Sequence, residues 1–386
     1  MSRSPLHNIA VVGLHNTRQA RALEGEDSLT VTMRAAIGAV KDAGIQLRDV
    51  DGVTSPLAAD VIYQSRMGPA WCETGYGIPA ILNAAAAISA GLATIVVVCD
   101  GSAGRYRERS ATAPWTRPTN EFVASYGMFT APEFALIARR HMHLYGTTPE
   151  SLAVVASTIR NNGHLNPEAV YFQRGPFKPE DILASRMVCD PFHLLDCATT
   201  SEGGCAVVLA REDVARDLRK PPVWIIGAGM DRFGPSYQYP PTFDLGGVRR
   251  PDLINGWVGR RAVEKALETS GIQRSEIDVF ELYDPFSFEI IRQFESFGFC
   301  PEGEGGDFVV DSLGPDRKYQ VSTDGGTMAY SHTGSAQLLQ RVARGVEQLR
   351  GECQTVQIEG AAVALCTGAG AGALATDVIL LGSQRP

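Results

Sequence analysis

The chain has 386 residues, a hydrophobic fraction of 44% and a formal net charge of −8 at pH 7. That length exceeds what one ordinary core serves, so two domains or two fused halves are expected. No uncharged apolar run approaches the ~20 residues that a membrane span needs, and no basic cluster interrupts the acidic balance. The composition therefore predicts neither a membrane span nor a nucleic-acid partner.

The N-terminal residues and the cysteines indicate the compartment. Residues 1–5 lead straight into a strand-like segment, without the basic start and apolar core of a secretory signal. The eight cysteines are scattered singly, in no metal-binding spacing. We therefore expect a cytoplasmic protein with mostly buried, reduced thiols and no metal site.

One strand–helix–strand pattern occurs twice along the chain. Residues 8–13 are typical of a buried strand ending in a glycine turn, and residues 223–229 repeat that signal. A helix that stops at Gly44 follows the first strand, and a helix that stops at Gly271 follows the second, each before a short turn and a new strand. Periodicity alone fits any α/β protein, but the matched spacing predicts a duplicated unit.

Three later runs carry side chains suited to chemistry. They are ELYDPFS at 281–287, TDGGTMAYSHTG at 323–334 and LCTGAG at 365–370. Each places a tyrosine, histidine or cysteine after an apolar segment or beside a glycine turn, where small residues let backbone approach a ligand. Such runs are typical of an active-site cleft.

The order and content of these runs resemble the C-terminal half of thiolases, especially the sterol-carrier-protein-type and archaeal-type branch. Segments 161–167, 184–188 and 200–206 extend the resemblance over nearly the whole chain. It implies an α/β thiolase fold of two duplicated βαβαβαββ halves, stacked as layers of helix, sheet, central helices, sheet and helix.

The same resemblance implies a domain organisation. The N-terminal half would span 1–220, with a loop domain at about 105–196 inserted to cover the substrate, and the C-terminal half would span 221–386. Relatives usually dimerise through the N-terminal half, so a homodimer is expected.

The nucleophile of a thiolase is a cysteine at the start of a helix, here the one that begins near Ile78. Ungapped counting back from Gly91 puts that position on Thr74, whose hydroxyl lacks an adjacent base. Matching the family's Cys-x-Thr-Gly pattern instead selects Cys72 and requires two extra residues, which rotate a helix by about 200°. We favour loss of the nucleophile, with Thr74 in the substrate pocket or as a helix cap and Cys72 as a small buried side chain.

Some thiolase-like proteins that lack this cysteine and carry tyrosines in the later runs cleave β-hydroxyacyl-CoA by a retro-aldol reaction, as in the removal of steroid side chains. The resemblance implies Tyr330 as the base and Tyr283 as proton donor or orienting group, with exchanged roles equally allowed. His332 matches the histidine that donates to the thioester oxygen. Cys366, at the position of the second thiolase cysteine, would protonate the enolate carbon or be retained without use.

Further residues are expected around the substrate. Asn162 and His164 resemble family residues that position water and neighbouring side chains, although loop hydrogen bonding explains them equally well. Gly326 and Gly368 would permit close substrate approach. Aromatic residues of the cover region suit a bulky ring system or an ordinary packed loop: Trp115, Tyr126, Phe129, Tyr171 and Phe172.

The sequence thus predicts a lyase that splits a β-hydroxyacyl-CoA into a carbonyl compound and acetyl-CoA or propionyl-CoA. The coenzyme A thioester is the substrate, and no covalently bound cofactor is expected. Such relatives commonly work with a small OB-fold, zinc-ribbon subunit, so a partner of that kind is expected here. Two alternatives stay open: an acyltransferase that uses Cys72, and a non-catalytic subunit that binds acyl-CoA or lipid.

Overall fold

The computed structural model describes residues 4–68, 70–104, 130–232, 258–314, 318–369 and 375–385. The strands in these ranges are β1 (Ile9–Asn16), β2 (Gly52–Thr54), β3 (Trp71–Glu73), β4 (Ile95–Ser102), β5 (Met187–Cys189), β6 (Phe192–His193), β7 (Gly203–Arg211), β8 (Val223–Arg232), β9 (Val279–Glu281), β10 (Val363–Ala369) and β11 (Ala375–Gly382). The helices are α1 (Ser28–Asp42), α2 (Ala58–Ser65), α3 (Gly77–Ser89), α4 (Thr130–Tyr145), α5 (Pro149–Leu165), α6 (Pro179–Ala184), α7 (Glu212–Ala215), α8 (Arg260–Ser270), α9 (Ser287–Ser296), α10 (Gly305–Ser312) and α11 (Gln337–Arg350).

Strands from both halves form one hydrogen-bonded sheet, in the order β3-β2-β4-β7-β1-β8-β11-β10-β9. At its centre β1 and β8 pair antiparallel through Ala10 with Trp224 and Val11 with Val223. Outward from this junction, β7-β4-β2 of the first half match β11-β10-β9 of the second. A parallel bridge between Phe280 and Val321 lies beside β9 where β3 lies beside β2. The predicted duplication is therefore confirmed.

Helices α3 and α11 lie between the two halves of the sheet. Each contacts strands of both halves, and the two helices contact each other. Their apolar faces share one buried cluster with the inward side chains of β1, β4, β7, β10 and β11. Helices α1 and α8 pack on the outer sides of the first and second halves. This gives the five layers predicted for an α/β thiolase fold.

Two glycines at matching positions set the distance between the outer helices and the sheet. A Cβ built on Gly13 of β1 would lie 2.3 Å from the carbonyl oxygen of Ala39 in α1. A Cβ built on Gly227 of β8 would lie 2.2 Å from the carbonyl oxygen of Ala266 in α8. Both contacts are to backbone that cannot move aside, so only glycine fits at either position.

The insertion in the first half contains α4, α5, α6, β5 and β6, which all lie between β4 and β7. The predicted boundary at 220/221 falls between β7 and β8 and stays a prediction, as do the limits of the cover domain. Residues 105–129, with Trp115, Tyr126 and Phe129, lie outside the described residues. Within the described ranges, no helix has the length and apolar character that crossing a membrane requires.

Overpacking at the duplicated glycine contact is expected to destabilise the fold. Gly13→Ala and Gly227→Ala should each lower the free energy of unfolding by about 1–3 kcal/mol, because the new methyl group meets a helix carbonyl. Chemical denaturation of the two variants measures this. Gly75→Ala is the matched control, since its Cβ would meet nothing nearer than 3.4 Å. Equal stability of all three variants would contradict the close approach.

Candidate active site

The first turns of α3 and α11 meet the end of β10 at one place. A Cβ built on Gly368 of β10 would lie 3.5 Å from Leu338 Cδ2 and 3.7 Å from Ile78 Cδ1, at ordinary contact distance. Gly77, the first residue of α3, has a φ of 65°, and a Cβ there would lie 3.0 Å from Leu338 Cδ1. These small residues bring the starts of both central helices together, and we take this junction as the candidate active site.

Tyr283 lies two residues beyond β9 and is half-buried. The Gln337 side chain, on the first residue of α11, lies close enough to the Tyr283 phenol to act on the pKa of that phenol. Desolvation raises the pKa of Tyr283 above its ordinary value, and the negative charges of Glu289 and Asp284 add to this shift, while the nearby Gln337 side chain opposes it. The resting phenol is therefore neutral, and its phenolate, once formed, is a stronger base than that of free tyrosine.

His332 lies five residues before α11 and is also half-buried. Its backbone N–H donates to Ser201 Oγ at 2.7 Å, and its carbonyl accepts from the Ser201 N–H at 3.2 Å. Ser201 Oγ in turn lies 2.8 Å from Ser331 Oγ, which donates to Gln19 Oε1. Side chains of the first half thus fix the histidine loop of the second half.

The entrance to α3 carries no cysteine at the helix start. The helix is preceded by Tyr76 as N-cap and begins at Gly77. Cys72 lies within β3 and is exposed, so its expectation as a small buried side chain was wrong. Thr74 is exposed in the segment between β3 and α3, and the capping position belongs to Tyr76 instead. A thiolate at Cys72 would therefore stand in a strand, away from the first turn whose N–H groups stabilise a thiolate.

Tyr330 does not share the surroundings of Tyr283. It is 2% exposed, and within the described residues its hydroxyl has no hydrogen-bond partner. It borders a cavity of about 50 Å³ that Arg344 and Glu347 of α11 also line. These residues lie seven and ten positions beyond Gln337, roughly 10–15 Å along the helix.

The backbone explains this departure from the sequence prediction. Gly326–Tyr330 form a π-helical turn, whereas Ser331 is extended with a φ of −172°. Tyr330 and His332 are two positions apart in sequence but belong to different backbone conformations. Burial, followed by the charges of Glu168, Asp324 and Glu347, raises the pKa of Tyr330 well above its ordinary value. The geometry gives no support to Tyr330 as the partner of Tyr283.

Cys366 is fully buried in β10 against α11. A Cβ built on Gly345 would lie 2.5 Å from its Sγ, and Gly345 is eight residues beyond Gln337, about 12 Å along the helix. Burial raises the pKa of the Cys366 thiol well above its ordinary value. The structure therefore places the Cys366 thiol in the core, against Gly345 of α11.

Gly326 makes room for a carboxylate of the protein itself. Its φ is 58°, and a Cβ there would lie 2.1 Å from Asp284 Oδ2. The Asp284 carboxylate accepts from the N–H groups of Thr327 at 2.8 Å and Met328 at 3.2 Å. Burial raises the pKa of Asp284 to about 7, against the effect of Arg341 and these donors. Gly326 thus shapes the turn, and no contact at this glycine points to the substrate.

Asn162 and His164 have structural partners. Asn162 Nδ2 donates to the carbonyls of Val321 at 3.0 Å and Ser322 at 3.3 Å. His164 Nδ1 accepts from the Gly175 N–H at 3.0 Å. Loop hydrogen bonding, which the sequence left open for both residues, accounts for these contacts.

Of the five aromatic residues singled out in the cover region, Tyr171 and Phe172 are described, and they differ in their surroundings. The Tyr171 ring packs against the guanidinium groups of Arg160 and Arg174, at 4.6 and 5.1 Å. Phe172 is 39% exposed. Tyr171 therefore serves the packing of the insertion, whereas Phe172 is free to meet another molecule.

A buried network of charged side chains, which was not predicted from the sequence, lies behind the candidate site. Arg341 of α11 donates to both oxygens of Asp324, at 2.8 and 2.7 Å, and to Glu281 Oε2 at 3.2 Å. Glu281 Oε1 accepts from Thr323 Oγ1 at 2.6 Å, and Asp324 Oδ1 accepts from the Gly326 N–H at 2.8 Å. Strand β9, the glycine turn and α11 are thereby tied to one guanidinium.

The pKa values of the two carboxylates in this network shift in opposite directions. Burial, then the neighbouring Asp324 charge, raises the pKa of Glu281. Burial alone would raise the pKa of Asp324 too, but Arg341 outweighs it and holds that pKa below its ordinary value. The signal was present as polar residues at helical spacing on an otherwise buried helix: Gln337, Arg341, Arg344 and Gln348.

Removing this guanidinium is expected to be costly. Arg341→Met should lower the free energy of unfolding by about 3–5 kcal/mol, because it leaves two buried carboxylates without their cation. Denaturant unfolding checks this. Arg211→Met, which breaks an exposed pair with Asp213, is the control and should leave the midpoint unchanged. A stable Arg341→Met protein would show that the network does not hold the site.

Comparisons with known proteins show the family of the chain. Residues 247–383 match the family model described as thiolase C-terminal domain-like. The chain is 31% identical to the steroid side-chain-cleaving aldolase of Thermomonospora curvata, over 97% of this chain and 98% of that protein. It is 30% identical to the acetyl-CoA acetyltransferase of Methanothermobacter thermautotrophicus, over 93% of this chain and 95% of that protein. A solved Ltp2-ChsH2(DUF35) aldolase superposes with a TM-score of 0.82 at 28% identity, covering 98% of both chains.

The chain therefore belongs to the thiolase-like superfamily. Within it, the chain is a thiolase-fold aldolase, a carbon–carbon lyase, and the non-catalytic reading is set aside. The predicted resemblance, fold class and enzyme class are confirmed.

Proposed function

We propose that this aldolase cleaves a β-hydroxyacyl-CoA into a carbonyl compound and acetyl-CoA or propionyl-CoA, without an acyl-enzyme intermediate. The observation that supports this most directly is the half-buried Tyr283, whose phenol lies near Gln337 at the start of α11, close behind His332. The start of α3, where a thiolase places its nucleophile, offers Tyr76 and Gly77 instead of a cysteine.

In this mechanism Tyr283 carries one proton through the whole cycle. Its phenolate takes the β-hydroxyl proton, the Cα–Cβ bond breaks, and its electron pair passes into the thioester as an enolate. The neutral phenol then returns the proton to the enolate carbon, which restores the phenolate. Each turnover is therefore balanced without a further base, and the buried Cys366 has no step to perform.

His332 would stabilise the developing enolate oxygen. Its backbone is held on both its N–H and its carbonyl by Ser201, so the imidazole starts from a fixed position. A donor held in place before the reaction stabilises charge that appears only in the transition state. Thr74, exposed at the entrance of α3, and Gly368, between Ile78 and Leu338, would border the thioester.

We propose that the acyl group of the substrate includes a bulky ring system, such as a steroid. The thioester would then lie on the steroid side chain, and the β-carbon would be a carbon of the steroid ring. The relative from Thermomonospora curvata, which is aligned over nearly the full length of both chains, is named for cleaving steroid side chains. The exposed ring of Phe172 in the cover region suits such a substrate.

We further propose a cytoplasmic assembly with a second subunit. Free cysteines along the described chain suit a reducing compartment. The solved aldolase with a TM-score of 0.82 carries a DUF35 component in its name, which favours a small partner here, as expected from the sequence. Strand β3 is the edge of the sheet and lies near exposed Tyr76, so the N-terminal half offers an edge for a homodimer.

Substitution of the tyrosines and Cys72 separates the possible mechanisms. Tyr283→Phe should lower kcat by about 10³-fold or more, because the variant cannot carry the proton. Cys72→Ala and Tyr330→Phe should keep kcat within about threefold of the wild type, since neither side chain meets the proposed site. The assay follows product masses from a panel of β-hydroxyacyl-CoAs, from 3-hydroxy-3-methylbutyryl-CoA to one whose β-carbon is a steroid ring carbon.

The same assay also tests the alternative reaction. The acetyl-CoA acetyltransferase relative keeps an acyltransfer reaction as the alternative, in which Cys72 is essential. Loss of turnover in Cys72→Ala, with iodoacetamide inactivation of the wild type, would support that alternative. Loss of turnover in Tyr330→Phe, with Tyr283→Phe still active, would show that Tyr330 is the base, as the sequence favoured.

The pH dependence tests the ionised tyrosine. Because the pKa of Tyr283 is raised, the reactive phenolate is a small fraction near neutrality and grows about tenfold per pH unit below that pKa. We expect kcat/KM to rise with that slope between about pH 7 and 9 without a plateau, and the slope to vanish in Tyr283→Phe. A profile that levels off near pH 7 would show that another group is the base.

A further inference from the structure

Two buried side chains close a ring of hydrogen bonds around the backbone of Tyr283. The Tyr283 N–H donates to Thr367 Oγ1 at 2.9 Å, and that hydroxyl donates to Gln293 Oε1 at 2.6 Å. Gln293 Nε2 then donates to the Tyr283 carbonyl at 2.8 Å. Thr367 is 0% and Gln293 1% exposed. Both backbone groups of one residue are thus held by side chains from two other elements, β10 and α9.

The ring can form in only one direction. The Thr367 hydroxyl has a single proton, so it accepts from the Tyr283 N–H and must donate onward to Gln293. Gln293 must then turn its oxygen toward Thr367 and its nitrogen toward Tyr283, and the same nitrogen also donates to the Glu289 carbonyl at 3.1 Å. Neither side chain can rotate without leaving a buried polar group unpaired, which costs more than the bond itself contributes.

The position of the ring matters because Tyr283 lies outside the sheet ladder. Strand β9 ends at Glu281, so the next N–H and carbonyl groups have no strand partner supplied by β9 pairing. Thr367 of β10 accepts from the Tyr283 N–H instead. Its hydroxyl points away from the Cys366 side because successive strand residues face opposite sides of the sheet. Cys366 faces α11 at Gly345, whereas the Thr367 hydroxyl faces Gln293 of α9. A stretch of irregular backbone is thereby held as firmly as a strand.

We propose that Thr367 and Gln293 are positioning residues that fix the backbone of Tyr283, so that its phenol meets the β-hydroxyl group at reacting distance. This inference rests on the proposed role of Tyr283 and goes beyond it, since neither side chain touches the substrate. A displacement of about 1 Å at a reacting group can cost on the order of 10²-fold in rate. The ring therefore acts on kcat more than on substrate binding.

Thr367→Val tests the ring with minimal change in shape. We expect kcat to fall about 10- to 100-fold, with KM within about twofold of the wild type, because the phenol is misplaced while the thioester contacts remain. Thr367→Ser keeps the hydroxyl and should restore kcat to within about threefold. Thr32→Val is the matched control: Thr32 is equally buried, and its hydroxyl donates to the Ser28 carbonyl on the outer helix α1.

A double-mutant cycle distinguishes positioning from simple loss of stability. In a Tyr283→Phe background Thr367→Val should change the residual rate less than about twofold, because the group that it positions is already gone. An equal 10- to 100-fold loss in that background, or an undiminished kcat in Thr367→Val alone, would overturn the inference.

Different results would contradict the positioning role of the hydrogen-bond ring and the proposed function. If wild type and Tyr283→Phe cleave every thioester of the panel equally, the proposed role of Tyr283 fails. A crystal structure of Thr367→Val then still decides the ring: a displaced or doubly positioned Tyr283 supports it, and an unchanged Tyr283 overturns it.

Discussion

The site depends on one buried guanidinium. Arg341 binds the carboxylates of Glu281 and Asp324, all of them at most 5% exposed, and thereby joins β9, the glycine turn and α11. Tyr283 follows β9, His332 follows the glycine turn, and Gln337 begins α11. The three elements that position Tyr283, His332 and Gln337 are therefore tied to the same cation. Burial of three charges is tolerable only because each finds its partner, so the geometry is fixed within narrow limits.

Given this support, the chemistry follows from which groups reach the junction of α3 and α11. A phenol does so and a thiol does not: Tyr283 lies near Gln337 there, whereas Cys366 is packed against Gly345 and Cys72 lies in an edge strand. The start of α3 offers Tyr76 and Gly77 and no cysteine. Such a junction suits a reaction that needs only proton movement and a stabilised enolate.

Much of the fold was predictable from the sequence. Gly13 and Gly227 stood out at matched spacing, but the predicted turns were wrong, because β1 and β8 both continue through their glycine. The structure explains the two glycines as paired contacts with α1 and α8. Such duplication is visible in sequence because each half must solve the same packing problem. The helix near Ile78 was also placed correctly to within one residue of its observed start at Gly77.

The site was less predictable, because side-chain direction depends on local backbone that the sequence does not show. Tyr330 lies in a π-helical turn, and the Cys366 thiol lies further along α11, at Gly345. Residues that act through others, such as Thr367 and Gln293, carry no motif, since a threonine or glutamine is informative only when its partners are known. The family resemblance indicated the candidate site residues, and the structure shows where each of them lies.

The measurement that tests the central claim most directly is intact-protein mass spectrometry of the enzyme quenched during steady-state turnover of a β-hydroxyacyl-CoA. A mechanism without an acyl-enzyme predicts only the mass of the unmodified chain at every time point. An added acyl mass that maps to Cys72 would contradict it.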